Sequence, residues 1–142
     1  MFRIWLESLE SRPIVSFDFD GVLHQEMQSG TIHPLHFDHG DLAPREEYIN
    51  ELFQESKNNN IIIVSARCSD EEIWQFIEIH HLPVKEVYAT CMRPKIPLLM
   101  KLGVIRHYDD DVESIRQQIE QYKPKNFEFI PVPVVENDYE NF

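Results

Sequence analysis

The feature that most constrains this chain is a series of short runs rich in β-branched or aromatic residues, each of strand length, separated by stretches of helical period. The runs are IVSFDFD from Ile14, IIIVSA from Ile61, VKEVYAT from Val84, VIRHY from Val104 and NFEFIPVPVV from Asn126. Between them the apolar residues recur at helical spacing. Pro44 is placed to open one helix, with Tyr48, Ile49, Leu52 and Phe53 on its apolar side and Asn58 to Asn60 as its stop. Ser69 or Asp70 can cap a second that carries Ile73, Phe76 and Ile77. KIPLLMKLG reads as a third, closed by Gly103, and a fourth runs through Ile115 and Ile119. Strands alternating with helices predict an α/β fold: a five-stranded, mainly parallel sheet in a Rossmann-like three-layer αβα sandwich. The prolines of the last run push it to the sheet edge.

The remaining segments are less regular. Phe2, Leu6 and Leu9 suggest a short N-terminal helix ended by Pro13, with Phe2 and Trp5 able to seat against a partner. The His-rich stretch from His24 to Asp41 lacks periodicity and reads as a loop. Residues 1–130 are expected to form a single domain and 131–142 an acidic, flexible tail; 142 residues leave no room for a second sizeable core. No apolar run approaches the roughly 18–20 residues of a membrane span, and the charged start is unlike a secretory signal. A cytoplasmic location is therefore expected, and with it two reduced thiols, Cys68 and Cys91, in a packed core. The formal charge of −12 repels polyanions at long range and makes nucleic acid a less attractive partner.

Right-handed crossovers in such a sheet put the strand C-termini on one rim, where ligands collect. Three strand ends bring chemistry there: Asp18, Asp20 and Gly21; Ser65, Ala66 and Arg67; and Asp109 to Asp111. Side chains at i and i+2 share a face of extended backbone, so Asp18 and Asp20 can point into one pocket. Carboxylates buried there must be paired or metal-bound. Oxygen donors converging on a rim suit Mg²⁺ when a substrate phosphate completes its shell. Taken singly, acidic residues behind a strand are as readily helix caps and turn formers. The joint order of the clusters carries the argument.

That order, DFDGVL, then IIIVSA, then Lys95 at a helix start, then HYDDD, resembles the four motifs of the haloacid dehalogenase (HAD) superfamily, over residues 13–121. The resemblance implies a Mg²⁺-dependent phosphohydrolase acting on phosphate monoesters through an aspartyl-phosphate. Asp18 would be the nucleophile, and Asp20 the acid that protonates the leaving group and then activates water. Ser65 would hydrogen-bond the transferring phosphoryl group, and Lys95 would neutralise charge. Asp18, Asp20 (through its backbone carbonyl), Asp109 and Asp110 would hold the metal. Gly21, Ser65, Ala66, Arg67 and His24 are the positions implied to contact substrate. Roughly forty residues separate Gly21 from the second strand and roughly thirty separate Ser65 from Lys95, too few for the large cap domain of many relatives. A capless member with an open site is expected, suited to a bulky phosphorylated substrate.

Several readings stay open at this level. Lys101 rivals Lys95, although only Lys95 leaves a full helix before the next strand. The register within Asp109–Asp111 is uncertain by one, since Asp111 could simply cap the following helix. His24 could touch substrate or pack in its loop, and Arg67 could bind a substrate anion or form a surface ion pair. His80, His81 and His107 read as surface or packing residues. His33, His36 and His39 could converge on Zn²⁺, although Pro34 and Gly40 argue against the regular helix that would align them. The alternative to the phosphohydrolase reading is thus an inactive HAD-like binding or regulatory module, with a polynucleotide-end phosphatase or a zinc-binding module less favoured.

Overall fold

In the computed structural model, residues 11–26 and 42–135 are described. Strand β1 (Ile14–Phe17) is followed by β2 (His24–Glu26), β3 (Leu42–Pro44), helix α1 (Glu46–Ser56), β4 (Asn60–Ser65), α2 (Glu71–His80), β5 (Val84–Ala89), α3 (Lys95–Leu102), β6 (Val104–Asp109), α4 (Val112–Tyr122) and β7 (Glu128–Pro131). The main sheet has the order β5-β4-β1-β6-β7, and all its pairings are parallel. The two halves wind outward in opposite directions from β1, so β1 and β6 flank the switch point where α/β sheets bind ligands.

Alternation along the strands builds the three layers. Val15 and Phe17 pair in register with Ile61 and Ile63, and these pack with Tyr48, Leu52, Ile73 and Phe76 of α1 and α2. Ile62 and Val64 point the other way and pack with Ile96 and Leu99 of α3 and Ile115 of α4. Ile61 to Val64 are all buried, as a central strand covered on both faces requires. Among the described residues the proline-bearing β7 does lie at an edge, where it pairs with β6 alone. The packed fold continues past it: Val132 is buried and its N–H donates to the Asp109 carbonyl at 2.9 Å.

Several local expectations need correction. Pro44 ends β3 and does not open α1; the N-cap is Arg45, whose guanidinium reaches away to the carbonyls of Gly21 (2.6 Å) and Pro133 (3.1 Å). Phe53 is largely exposed, while Tyr48, Ile49 and Leu52 are the buried residues of α1. The stretch from His24 is not simply a loop. His24–Glu26 pairs antiparallel with Leu42–Pro44 as a small second sheet, too short to show a period in sequence. Asp70 occupies the N-cap of α2, but its carboxylate accepts from the Trp74 indole and makes no cap hydrogen bond. Among the described residues, this two-stranded element is the only addition to the sandwich before α1, and no helix is long and apolar enough to cross a membrane. The expected N-terminal helix, His33, His36 and His39, and most of the expected acidic tail lie outside the described residues.

Candidate active site at the switch point

Two neighbouring strands deliver the central carboxylates. Ser16 is the register partner of His107, and Phe17 that of Tyr108, their rings stacked with centroids 4.3 Å apart. That stack occupies the α1–α2 face. Ser16, Asp18, His107 and Asp109 therefore project to the opposite face, toward α3. There Lys95, the first residue of α3, extends its Nζ between Asp18 Oδ1 (2.7 Å) and Asp109 Oδ2 (2.8 Å). All three side chains are buried. Lys101 is exposed on the same helix, so Lys95 is the lysine that meets the carboxylates.

Ligand oxygens of Asp18, Asp109 and Asp110 lie within 4.8 Å of one another. Asp111 stands at the N-cap position of α4, and its backbone N–H donates to Asp109 Oδ1 at 2.9 Å. Asp110 owes its place to Gly21. A Cβ built on Gly21 would overlap the Asp110 carboxylate, and the Gly21 φ of +83° is itself a left-handed conformation that side chains disfavour.

One ammonium facing three carboxylates leaves surplus negative charge in a buried site. Burial pushes the Asp18 carboxyl well above its ordinary value against the pull of Lys95. Asp109 is also desolvated, yet hydrogen bonding to His107 and the charge of Lys95 hold it below the usual carboxylate range. Burial raises Asp110 as well. Lys95 resists desolvation because Asp18 and Asp109 hold it charged, its pKa raised. A hard dication is what this surplus would neutralise, and carboxylate oxygens are the donors such a cation takes.

Asp20 stands apart from the three converging carboxylates. Arg67 grips it through two parallel hydrogen bonds, Nε to Oδ2 and Nη2 to Oδ1, both 2.8 Å, while His24 Nε2 lies 2.8 Å from Oδ1. These partners overcome burial and hold the Asp20 carboxyl well below its ordinary value. Arg67 also binds Glu72 at 2.8 Å. In this structure Arg67 thus pairs with two carboxylates of the protein itself. His24 is wholly buried against Phe19, so it packs behind Asp20 and does not line the open site. Ser65 is buried at the end of β4, its Oγ accepting from the Arg67 N–H at 3.1 Å, and Ala66 lines the cleft.

The cleft above these residues has a volume of about 610 Å³ and is walled by Asp18, Asp20, Lys95 and Asp109 on one side and Ser114 and Gln118 of α4 on another. Its rim includes Met92 and Arg93 on the turn after β5. That turn is laced to the one after β4 by three backbone bonds: Thr90 N–H to Ser65 O, Cys91 N–H to Arg67 O and Met92 N–H to Ala66 O. It is also joined to it by a disulfide between Cys68 and Cys91. The expectation of reduced thiols in a packed core is therefore wrong on both counts, for the two residues are exposed as well as bonded. Pairing of Ser65 with Ala89 brings the two strand ends side by side, which places the Cα atoms 4.0 Å apart. That adjacency depends on strand register, which the cellular compartment does not determine.

Sequence reasoning also missed His107. It is fully buried, with Nε2 2.8 Å from Asp109 Oδ2 and Nδ1 2.6 Å from Ser16 Oγ. The signal was present as i, i+2 spacing from Asp109, which puts the two on one strand face.

No known-family model matches the chain, and no curated protein matches it. Among solved structures, a chain from one described as the Pnkp1/Rnl/Hen1 RNA repair complex is similar, with a TM-score of 0.64 at 14% identity. The likeness covers 89% of this chain and 44% of that one, so this protein spans less than half the length of its neighbour. At that identity the shared property is the fold.

Proposed function

We propose that this protein is a Mg²⁺-dependent phosphohydrolase of the HAD type, with Asp18 as nucleophile. The observation that carries the proposal is the convergence of Asp18, Asp109 and Asp110 at the switch point, with Lys95 bridging the first two. The donor set fits Mg²⁺: three carboxylates outnumber one ammonium, and Gly21 leaves room for the third. Bound there, Mg²⁺ would draw charge from the phosphoryl oxygens.

The chain's own groups supply the rest. An Asp18 oxygen attacks phosphorus as the bond to the leaving oxygen breaks, giving an aspartyl-phosphate. Lys95 keeps the attacking carboxylate oriented and offsets charge on the phosphoryl group. Ser65 at the end of β4 offers its hydroxyl to that group. Asp20 gives a proton to the leaving oxygen, then takes one from the water that attacks phosphorus, releasing phosphate and restoring Asp18. Arg67 holds Asp20 as a carboxylate at rest; an incoming phosphate is an anion able to draw the guanidinium away, and Asp20 then takes from solvent the proton that it gives to the leaving oxygen.

An inactive binding module would have no use for a buried lysine between two carboxylates, whose desolvation is costly. The open cleft accommodates a bulky substrate. The solved neighbour's RNA repair setting makes 3′-phosphorylated oligonucleotides worth including beside nucleotides, sugar phosphates and phosphopeptides, although the charge of −12 weighs against them. The test is hydrolysis of an aryl phosphate and then of that panel. Activity should require Mg²⁺, vanish with chelator and fall about a thousandfold or more in Asp18→Asn. Turnover that survives Asp18→Asn unchanged would overturn the proposal.

A further inference from the structure

A polar ladder runs beneath the site, and its lower rung has no part in the chemistry just described. On β1 and β6, Asp18 and Asp109 form the upper rung; Ser16 and His107, two residues back on each strand, form the lower. Both lower residues are fully buried, as is Asp109. Ionisable side chains are seldom fully buried without a specific partner, and here each polar atom of the rung has one.

The geometry fixes the direction of the hydrogen bonds. In a neutral imidazole one ring nitrogen donates and the other accepts, and the partners decide which. Nε2 faces the Asp109 carboxylate, which can only accept, so Nε2 carries the proton. Nδ1 is then an acceptor and the Ser16 hydroxyl must donate to it. Asp109 is thereby held by three donors: His107 Nε2 and Lys95 Nζ on Oδ2, and the Asp111 N–H on Oδ1. Lys95 is shared with Asp18 and faces the incoming phosphoryl group. The His107 Nε2–H donates to Asp109 alone.

We propose that His107, set in one tautomer by Ser16, is a positioning residue that orients the Asp109 carboxylate for cation binding. The proposal rests on the metal site of the phosphohydrolase reading. It assigns to Ser16 and His107 a role that the resemblance does not give them. Outer-shell groups of this kind are typically worth about 10–100-fold in metal affinity.

Two measurements test it without turnover. In the metal-free wild-type protein, ¹⁵N chemical shifts should show His107 as the neutral Nε2–H tautomer. An Nδ1–H tautomer, which would turn a bare nitrogen toward Asp109, would overturn the proposal. Titration with Mn²⁺ alone, followed by electron paramagnetic resonance, should show affinity reduced about 10–100-fold in His107→Leu. Partial recovery is expected in His107→Gln, whose amide N–H can replace Nε2–H. Should His107→Leu fail to fold, Ser16→Ala serves instead. It leaves Nδ1 without its donor, and should yield mixed tautomers and a several-fold loss of Mn²⁺ affinity. Wild-type affinity in both His107→Leu and Ser16→Ala refutes the positioning role and leaves the phosphohydrolase reading intact. Absence of Mn²⁺ and Mg²⁺ binding by the wild type refutes both.

Discussion

Replacing Lys95 with methionine, an unbranched side chain one atom shorter, removes the charge and leaves Asp18 and Asp109 buried without their shared cation. Breaking a buried pair by deleting one partner costs about 3–5 kcal/mol, because the remaining charge is desolvated and uncompensated. Here two carboxylates lose their partner, with Asp110 close by, so a loss toward the upper end of that range is expected at neutral pH without metal. Lowering the pH lets a carboxyl take up a proton, which should shrink the loss. Mg²⁺ should shrink it too, since the dication takes over the role of the ammonium and no longer meets its repulsion. At a free concentration of 100 times the dissociation constant, binding alone contributes about 2.7 kcal/mol. The assay is urea unfolding of wild type and Lys95→Met, each with and without saturating Mg²⁺. The stability gap should narrow when metal is present. A gap that is the same in both conditions, or below about 0.5 kcal/mol throughout, would refute the idea that Lys95 and a cation neutralise the same carboxylates.

Other outcomes follow from separate parts of the molecule. Gly21→Ala should cost about 1–2 kcal/mol from its left-handed backbone alone, and by displacing Asp110 it should also weaken Mg²⁺ binding in calorimetry. Reduction of Cys68–Cys91, which closes a loop with a sequence separation of 23, should cost about 3 kcal/mol by chain entropy, read as a lower urea midpoint in the presence of a phosphine reductant. Glu55, held by Arg106 at 2.6 and 2.8 Å and hydrogen-bonded by Tyr108, has its carboxyl pushed below the ordinary 4.5, chiefly by Arg106 and against burial. Its stabilising contribution is therefore full above that pH and fades as the pH falls through the lowered value. In Arg106→Gln, acid unfolding should begin at a higher pH than in the wild type, as followed by circular dichroism.

The sheet was legible in the sequence because its central strand is buried on both faces. Ile61–Val64 must be continuously apolar, and few other contexts tolerate such a run. The choice of Lys95 over Lys101 was accessible for a similar reason, since helix length alone puts the former at the end facing the rim. What the sequence could not show depends on pairing across the sheet. Arg67 and Asp20 are 47 residues apart, and Ser16 and His107 are 91 apart. Nothing local to any of them signals the partner. Cys68 and Cys91 stand exposed and adjacent only because β4 and β5 pair in a particular register. Strands β2 and β3, of three residues each, are too short for alternation to be visible at all. Phe53 sits at a position of α1 that helical spacing assigns to the apolar side, and its exposure shows that the buried stripe is narrower than the pattern suggests.

The central claim is that Asp18 becomes phosphorylated, and it can be read chemically. The wild-type protein would be quenched in acid during turnover of an aryl phosphate with Mg²⁺ and treated with borohydride, which reduces an acyl phosphate to the alcohol. Peptide mass mapping should then find homoserine at position 18, dependent on both substrate and Mg²⁺ and absent in Asp18→Asn. Steady turnover under the same conditions with every peptide across Asp18 unmodified would contradict the account.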